Sequence, residues 1–534
     1  MSPTLDFKPL PMQKGVLSRS VYGGERLIAA AAEYAGYGHI FMWNHVNFKA
    51  GNLSPPILVD LVRAAWIHTR FVLPWVACRT SAEEKDAWFY TYETPSNVDA
   101  TMKWAIDTNF WSDDSRSKAE WEEVLKNNYW KASEGRYSME LHLARAPSGG
   151  GYFLMVSVGH WMIDGRALLT VMDLFFKNLR LQMQGNAAPL SSLDWGNEIV
   201  RLPSANIQAV GQASHRNAEP SAQISSVPTN PEVAAPFVCP TFETPQWEGL
   251  PSLQASIQLS KGETAALKAA CKRHKASVTS ALVSIHIVAD IEIGLRVASS
   301  QKDKDAPNKV LEHFNTAELY QFNFNLMDRR GLLPPDKLAP GMGPGAFGNI
   351  VCEIMPTMHD MAAIRKCINT EKDGVASANV MKGTDFWNGV VADSTRQLKA
   401  VTNGGSTPEA YAAVEHMMDS IVPSIAALCA PGVGCSSIGR VSSLGLMDDF
   451  VPSRAMTDPC TPFVVEDLSF AVRATGADVM GKVIMLWEYD ERLNIHLLGS
   501  PRWHSPDSWM CFEACVRRLI GNVIQSEESG KCKL

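Results

Sequence analysis

The sequence predicts an α+β protein with two lobes, and three patterns lead to this prediction. Apolar, partly β-branched residues over 152–158 are typical of a buried strand, and apolar residues at helical spacing follow them over 168–179. Residues 185–251 are rich in Pro, Ser and Asn, as in a linker, and strand and helix patterns resume after them. Three more strand patterns precede a last helix near the C-terminus. The predicted organisation is a first lobe at 1–185, a crossover linker at 186–250 and a second lobe at 251–534.

The first half of the chain alternates between helix and strand patterns. Ser54 before two prolines is a good helix start, and Pro147 to Gly151 reads as a turn between two strands of a hairpin. Residues 107–129 are acidic, Trp-rich and in part helical by pattern. The remaining predicted elements are a helix at 20–34, strands at 38–48, 88–93, 137–145 and 152–158, and a helix from Gly165 to about 181.

The second half begins with a strand and then a helix with a recognisable start. Ser260 followed by Glu263 has the spacing of a capping box, in which each side chain bonds to the backbone of the other residue. Charged residues over 302–308 predict a solvated loop. The other predicted elements are strands at 253–259, 469–473, 482–488 and 493–498, an apolar helix at 278–295 and a helix from Ser505-Pro506 to about 524.

Charge and composition exclude several classes of partner. The net charge is −7, with a pI near 6.0, so nothing favours nucleic acid or an anionic membrane as a ligand. We see no run of 18 apolar residues and no secretory signal, which predicts no membrane span and a cytoplasmic protein, and we expect a monomer. Eleven cysteines without a Cys-x-x-Cys pair favour reduced thiols and no metal site. The terminal Cys532-Lys533-Leu534 resembles a variant peroxisomal address, and a frayed tail is the preferred alternative.

The best candidate for chemistry is His160, which stands where a strand ends and a helix has not yet begun. A neutral imidazole at that position can point into a cleft and take a proton, because the pKa of histidine lies near about 6.5. Four residues later, Asp164 is expected to be buried by the turn and therefore to need a cation, while Gly165 lets the chain turn tightly. The alternative is a structural histidine whose hydrogen bonds are satisfied at the strand end.

His160-x-x-x-Asp164-Gly165 resembles the signature of the coenzyme-A-dependent acyltransferase superfamily. This superfamily includes chloramphenicol acetyltransferase, the plant-type BAHD enzymes, fungal trichothecene acetyltransferases and condensation domains of peptide synthetases. A second stretch, from Phe322 through Asp328-Arg329-Arg330 and Pro334-Pro335 to Gly348-Asn349, is similar to the plant-type pattern in order and spacing. The resemblance implies that Arg329 or Arg330 is the cation for Asp164, and that Gly348 permits close approach of backbone to backbone in the sheet.

Residues 435–440, Cys-Ser-Ser-Ile-Gly-Arg, look like a strand of these families that supplies donors near the active site. The resemblance makes Ser436 and Ser437 candidates for stabilising an oxyanion, and an ordinary strand start is the alternative. The plant signature Asp-Phe-Gly-Trp-Gly is missing, since only Asp448-Asp449-Phe450 stands near its place. That departure leaves the acyl donor open.

The resemblance implies two lobes like chloramphenicol acetyltransferase, with an active-site channel between them, and it is closest in layout to the fungal trichothecene-type O-acetyltransferases. The implied activity is transfer of an acyl group, such as acetyl, from acyl-CoA as co-substrate to a hydroxyl or amine of a small secondary metabolite. No bound cofactor is expected. One alternative is a condensation-like cyclase or isomerase that uses the same channel without an acyl donor. The other is a binding module that does no chemistry.

Overall fold

A computed structural model describes most of the chain. The terminal tripeptide at 532–534, Pro335, Gly345 to Phe347 and much of the predicted linker lie outside the described residues. The described residues are 4–49, 53–213, 236–241, 250, 252–301, 305–334, 348–370, 376–380, 383–403, 406–423, 432–473 and 480–531.

Strands and helices alternate along both halves of the chain. The strands are β1 (Lys8–Pro9), β2 (Val16–Ser20), β3 (His39–Phe48), β4 (Arg79–Glu84), β5 (Ala87–Glu93), β6 (Asn109–Ser112), β7 (Glu134–Tyr137), β8 (Met139–Arg145), β9 (Tyr152–Gly159), β10 (Leu253–Gln258), β11 (Leu319–Asp328), β12 (Cys352–Asp360), β13 (Ile368–Thr370), β14 (Ala376–Ala378), β15 (Gly432–Arg440), β16 (Phe463–Val472), β17 (Met480–Tyr489) and β18 (Arg492–Gly499). The helices are α1 (Gly24–Ala35), α2 (Pro55–Val72), α3 (Val98–Thr108), α4 (Lys118–Asn127), α5 (Gly165–Met183), α6 (Asn206–Ala209), α7 (Lys261–Arg273), α8 (Val278–Ser300), α9 (Asp305–Thr316), α10 (Met361–Arg365), α11 (Gly383–Asp385), α12 (Ala392–Asn403), α13 (Pro408–Ile421), α14 (Pro452–Ala455) and α15 (Pro506–Lys531).

Two large sheets form the frame of the two lobes. The sheet of the first lobe has the order β16-β3-β9-β8-β6, and the sheet of the second lobe has the order β10-β18-β17-β15-β11-β12. A smaller sheet, β1-β2-β5-β4-β7, extends the first lobe, and β13 and β14 form a two-stranded ribbon. The predicted α+β class with two sheet-containing lobes is confirmed.

The local sequence accounts for several helix ends. Ser260 caps α7 with the predicted capping box, because its side chain accepts from the Glu263 N–H and the Glu263 carboxylate accepts from the Ser260 N–H. Ser117 and Glu120 form the same box on α4. At the other end of a helix, Gly36 adopts the left-handed conformation that terminates α1.

One predicted loop is wrong. Residues 302–308 were expected to be a solvated loop, but α9 begins at Asp305. Its later residues include Phe314, which is buried in the core of the second lobe. The prediction of a loop relied on the charged residues at the start of this segment. A helix can have a charged first turn and still bury an apolar face further along.

Not all of residues 251–534 belong to the second lobe, although the predicted boundaries placed them there. Strand β16 pairs in antiparallel register with β3, so that Phe463 lies opposite Phe48 and Val472 opposite Ile40. The chain thus returns from the second lobe to complete the sheet of the first. The sequence of β16 does not indicate which strand it pairs with more than 400 residues away. Its pattern predicts a strand but would be the same in either sheet.

Each lobe has its own core. In the first lobe α2 and α5 pack beside the sheet, and in the second lobe α8 is the central helix. By length and composition α8 could cross a membrane, but 89% of its most apolar window is buried inside the protein. We therefore interpret α8 as the core helix of the second lobe.

Candidate active site

The start of the loop that carries His160 is held by hydrogen bonds to neighbouring strands. Strand β9 pairs with β3 on one side and β8 on the other, and it ends at Gly159. The His160 N–H donates to the Gly38 carbonyl oxygen at 2.6 Å. The next residue, Trp161, is fully buried, and its indole N–H donates to Thr80 at 2.8 Å. The loop therefore starts from the middle of a sheet and is anchored by a buried ring.

The imidazole of His160 has a defined orientation. Its Nδ1 lies 2.8 Å from the carbonyl oxygen of Ile163. A carbonyl only accepts hydrogen bonds, so Nδ1 carries the proton and Nε2 keeps its lone pair. Burial lowers the pKa of His160, although the Ile163 carbonyl and the charge of Asp164 act in the opposite direction. The imidazole is therefore neutral at neutral pH, with Nε2 able to accept a proton.

Asp164 fixes the second half of the loop. It is the N-cap of α5, where its Oδ1 accepts from the backbone N–H groups of Arg166 and Ala167 at 3.1 and 3.0 Å. Its Oδ2 accepts from the Val351 N–H at 3.2 Å. Burial by itself raises the pKa of Asp164, but Arg330 and the bonds to the helix start lower it below its ordinary value. The carboxylate is therefore charged and needs its cation, as the sequence predicted.

That cation is Arg330. Its two terminal nitrogens lie 2.8 and 3.0 Å from the two carboxylate oxygens of Asp164, in the bidentate arrangement that favours arginine over lysine. The Arg330 side chain is 1% exposed. The neighbouring Arg329 pairs instead with Glu353 at 2.6 Å. The structure thus decides between two adjacent arginines that the sequence left equivalent.

Asn349 joins the His160 loop to the Arg330 side of the site. Its backbone N–H donates to the Met162 carbonyl at 2.9 Å, and its carbonyl accepts from Arg330 at 3.2 Å. Its side-chain oxygen accepts from Arg19, a fully buried arginine whose main partner is Glu25. Asn349 has a φ of 71°, a left-handed conformation that asparagine tolerates better than most residues.

At Gly348 and Gly165, a neighbouring side chain and not a neighbouring backbone occupies the space that a Cβ would need. A Cβ on Gly348 would lie 3.0 Å from the Trp75 ring, so its close neighbour is an indole and not a strand backbone as expected. A Cβ on Gly165 would lie 3.2 Å from Ile438 on β15. Gly165 does not have a positive φ, so the reason for this glycine is the approach of the second lobe and not a tight turn.

The two candidate serines differ in what they contact. Both lie on β15 and border the same cavity as His160. The Ser437 hydroxyl is 3.1 Å from the Thr279 hydroxyl at the start of α8, on the core side of the sheet. Ser436 lies opposite Met485 of β17, a residue that lines the cavity, and directly opposed residues of neighbouring strands share a face. Ser436 is therefore the serine whose hydroxyl is available to the cavity.

A cavity of about 210 Å³ lies between the lobes at these residues. One wall is the inner face of the second sheet, formed by alternate residues of β11, β12 and β17 and by the consecutive residues 436–438 of β15. The other wall is formed by α1, α13, β16 and the His160 loop. Most of the lining is apolar, including Ile28, Phe324, Leu326, Ile438, Phe470 and Met485.

Sequence reasoning missed one polar residue of this cavity, Glu415. It lies on α13, a helix for which the sequence analysis made no prediction, and it is 1% exposed. A glutamate at helical spacing from Tyr411 and Met418, both buried, was the available signal, because such a position faces the core.

We searched the described ranges for side chains that could bind a metal ion. These ranges contain no group of three or more His, Cys, Asp or Glu side chains placed to hold a metal ion. The cysteines in the same ranges are free thiols. Cys352 borders the cavity, and burial raises the pKa of its thiol well above the ordinary value, which makes it a poor nucleophile.

Comparison with known proteins identifies the architecture. A scan against protein-family models finds no match, and neither does a search of curated proteins. Solved structures match along nearly the whole chain. Trichothecene 15-O-acetyltransferase from Fusarium sporotrichioides has a TM-score of 0.73 at 13% identity, covering 97% of each chain. The starter condensation domain of rhizomide synthetase, solved in complex with C8-CoA, has a TM-score of 0.56 at 9% identity, covering 95% of each chain.

This is the acyltransferase and condensation-domain fold. The epimerization domain from the third module of tyrocidine synthetase B has it as well, with a TM-score of 0.57, 10% identity, and coverage of 97% of this chain and 99% of that chain. At such identities the likeness establishes the fold alone. The acyltransferase and condensation-domain fold predicted from the His160 motif is thus confirmed by the structure, independently of the motif.

Removing either member of the Asp164 and Arg330 pair should destabilise the protein. We expect Asp164→Ala to lower the free energy of unfolding by about 3–5 kcal/mol, because the buried Arg330 loses its bidentate partner and keeps only the longer ion pair with Asp328 at 3.3 Å. The double variant Asp164→Ala, Arg330→Ala should lose less than the sum of the two single variants. Chemical denaturation measures all three. The more exposed pair of Arg180 and Asp449 is the control, where Asp449→Ala should cost at most about 1 kcal/mol. A similar small loss for Asp164→Ala would contradict the assignment.

Glu415 should make stability depend on pH. Burial raises its pKa from 4.5 to about 7. Since the folded state then binds this proton more tightly than the unfolded state, its contribution is complete below pH 4.5 and is lost as pH rises through about 7. The difference in unfolding free energy between wild type and Glu415→Gln should therefore fall by on the order of 3 kcal/mol across that range. Glu123→Gln, at an exposed glutamate, is the control. A difference in unfolding free energy that does not change with pH would contradict a raised pKa of Glu415 in the folded protein.

Proposed function

We propose that this protein is an acyltransferase that moves an acyl group from an acyl-CoA thioester to a hydroxyl group of a small, largely apolar acceptor. The fold is compatible with this chemistry, and the cavity between the lobes provides a site where donor and acceptor can meet. The acetyl group is the proposed cargo because the match with the higher TM-score among those described is to an O-acetyltransferase. An amine acceptor would use the same site in the same way.

The single observation that carries the proposal is the orientation of His160. Its Nδ1–H is held by the Ile163 carbonyl, and its Nε2 is left as an acceptor at the edge of an apolar cavity. Burial lowers the pKa of His160, so the free base persists at neutral pH. A neutral imidazole with one nitrogen fixed and the other free is the requirement for general base catalysis.

The proposed reaction is a direct transfer. Nε2 of His160 removes the hydroxyl proton while the hydroxyl oxygen attacks the thioester carbonyl carbon. The carbonyl oxygen becomes an oxyanion in a tetrahedral intermediate. When this intermediate collapses, the carbon–sulfur bond breaks, and the thiolate takes the proton back from His160. The products are the ester and free coenzyme A, and His160 returns to its neutral state. Holding both substrates together supplies much of the rate, because it removes the entropic cost of their encounter.

The proposed oxyanion donor is Ser436. A hydroxyl aimed at the position where negative charge develops is worth more in an apolar cavity than in water. Asp164 does not take part in proton transfer, since both of its oxygens are engaged by Arg330 and by backbone N–H groups. Its proposed role is to hold the His160 loop in the reactive shape.

Replacing His160 by Ala should lower the rate of acceptor-dependent thiol release by about 10²–10⁴, the usual contribution of a general base. In the wild type, kcat/KM should rise with pH through an apparent pKa below 6.5 and then stay constant, because burial lowers the pKa of His160 and only the neutral form is active. Thiol release is followed with a chromogenic disulfide. A rate that falls as pH rises through the same range would contradict the base role.

The two serines offer a matched pair. Ser436→Ala should lower kcat by about 10²–10³, as the loss of one oxyanion donor does, with little change in KM. Ser437→Ala removes a hydroxyl of equal size on the same strand, one that bonds to Thr279, and should leave kcat within about a factor of three. Equal effects of the two substitutions would reject Ser436 as the donor.

The natural reaction can be found without knowing the acceptor. Metabolites of the producing cell are compared by untargeted mass spectrometry with either wild type or His160→Ala present. A lost product that is heavier than its accumulating precursor by one acyl group would support acyl transfer and name both compounds. A lost product of equal mass would replace this proposal with cyclisation or isomerisation. No change would mean that His160 is not the catalyst.

A further inference from the structure

The cavity contains a second polar group besides the catalytic loop, the carboxyl of Glu415. Its Oε1 accepts from the Asn206 side-chain amide at 3.1 Å and from the Tyr411 hydroxyl at 2.9 Å. Its Oε2 accepts from the Gly24 backbone N–H at 3.0 Å. A Cβ on Gly23 would lie 1.9 Å from Oε2, so the chain uses a glycine where the carboxyl needs the space. These contacts fix Glu415 as firmly as the residues of the catalytic loop.

Glu415 differs from the other acids of the cavity in its charge environment. Asp164 is paired with Arg330, and Asp328 is paired with Arg166. Glu415 has no cationic side chain within 4 Å in the part of the chain that the structure describes. An isolated carboxylate is costly in an apolar cavity, so this group favours its neutral form.

The groups that face Glu415 do not offset this preference. On its own helix the facing group is Tyr411, from α1 it is Glu25, and from β12 it is Cys352. Burial is the largest effect and raises the pKa of Glu415 to about 7, while the bonds from Asn206, Gly24 and Tyr411 lower it and Glu25 raises it further. The carboxyl is thus protonated in a large fraction of molecules at neutral pH.

A neutral carboxyl has an O–H to donate. Asn206 and Gly24 present N–H groups to it, and these only donate. The acceptors open to the proton are the Tyr411 oxygen and any oxygen of a ligand inside the cavity. A bound ligand with an accepting oxygen at this point would therefore gain a hydrogen bond.

Helix α1 runs between Glu415 and the neighbourhood of His160. Gly24 contacts Glu415, and Ile28, four residues later, lies beside Gly38, whose Cβ position is 3.8 Å from the Cβ of His160. Four residues of an α-helix correspond to about 6 Å. Glu415 is thus in contact with the first turn of α1, while the next turn leads towards His160, and both residues border the same apolar cavity.

We propose that Glu415 determines acceptor specificity by donating a hydrogen bond to a second oxygen of the acceptor. The substrate class is then a compact, largely apolar alcohol that also carries a carbonyl or ether oxygen at a position away from the reacting hydroxyl. The assignment of the reacting hydroxyl rests on the proposed function. The recognition of the second oxygen does not, because it concerns binding alone.

The test measures binding without any acyl donor. Cyclohexanol and 4-hydroxycyclohexanone differ by one carbonyl oxygen across the same ring, and calorimetric titration gives the ratio of their Kd values. In wild type at about pH 6 the keto alcohol should bind about tenfold more tightly, the effect of one hydrogen bond. At about pH 8.5, above the Glu415 pKa of about 7, this preference should fall towards one.

Two variants separate recognition from a structural role. Glu415→Gln donates at every pH, so it should keep the preference for the keto alcohol at about pH 8.5, where wild type loses it. Glu415→Leu cannot donate and should show no preference at either pH. The ratio of two ligands on one sample does not depend on the folded fraction. Even if Glu415→Leu fails to fold, the ratio of Kd values for wild type and Glu415→Gln at the two pH values shows whether Glu415 donates to the second oxygen.

Two outcomes would overturn the proposal. One is an equal affinity for both alcohols in wild type at about pH 6, where the carboxyl is neutral. The other is tighter binding of 4-aminocyclohexanol at about pH 8.5 than of either alcohol, which would make Glu415 an anionic site for an amine. Failure of acyl transfer shows separately, as absence of thiol release with every acceptor, and it leaves the binding ratio unchanged.

Discussion

The site depends on the buried pair of Asp164 and Arg330. Asp164 caps the first turn of α5, binds Arg330 through both oxygens, and accepts from the backbone at the start of β12. One carboxylate therefore fixes the start of a helix in the first lobe against two strand ends of the second lobe. Its charge is fully compensated only when both lobes are in place, because Arg330 follows the end of β11. The geometry of His160 is thus coupled to the docking of the lobes.

The contacts around this pair explain why the loop has one shape. Asn349, on the second lobe, donates to the Met162 carbonyl of the His160 loop and accepts from Arg330. It therefore connects the loop to the second lobe. Ile438 approaches Gly165 so closely that a side chain there would need to displace it. Strand β16 adds a further link, since it leaves the second lobe to complete the first sheet. A site built between lobes needs such links, because a displacement of one ångström would change the position of His160 relative to the residues of the second lobe.

The chemistry of the cavity follows from how its charges are arranged. The acids and arginines near the loop neutralise one another, and the walls are mostly apolar, so the field that a substrate meets comes from a few groups. His160 has a lone pair to accept a proton, Ser436 has a hydroxyl to donate, and Glu415 is a buried carboxyl without a cation. In an apolar cavity each of these groups has a stronger effect than in water, which is why a small number of polar contacts can decide which molecule reacts.

The sequence by itself determined the local part of this protein. The change from strand to helix around His160 and many of the longer strands and helices follow from periodicity and capping, which depend on neighbouring residues. The need of Asp164 for a cation follows from its expected burial by the turn. Tertiary structure decided the rest. The pairing of Asp164 with Arg330 and not with Arg329, the bond of Ser437 to Thr279, the place of β16 in the first sheet and the presence of Glu415 in the cavity each depend on which distant segments meet. Two adjacent residues of the same type cannot be distinguished from the sequence. Packing distinguishes them, because it gives each one different neighbours.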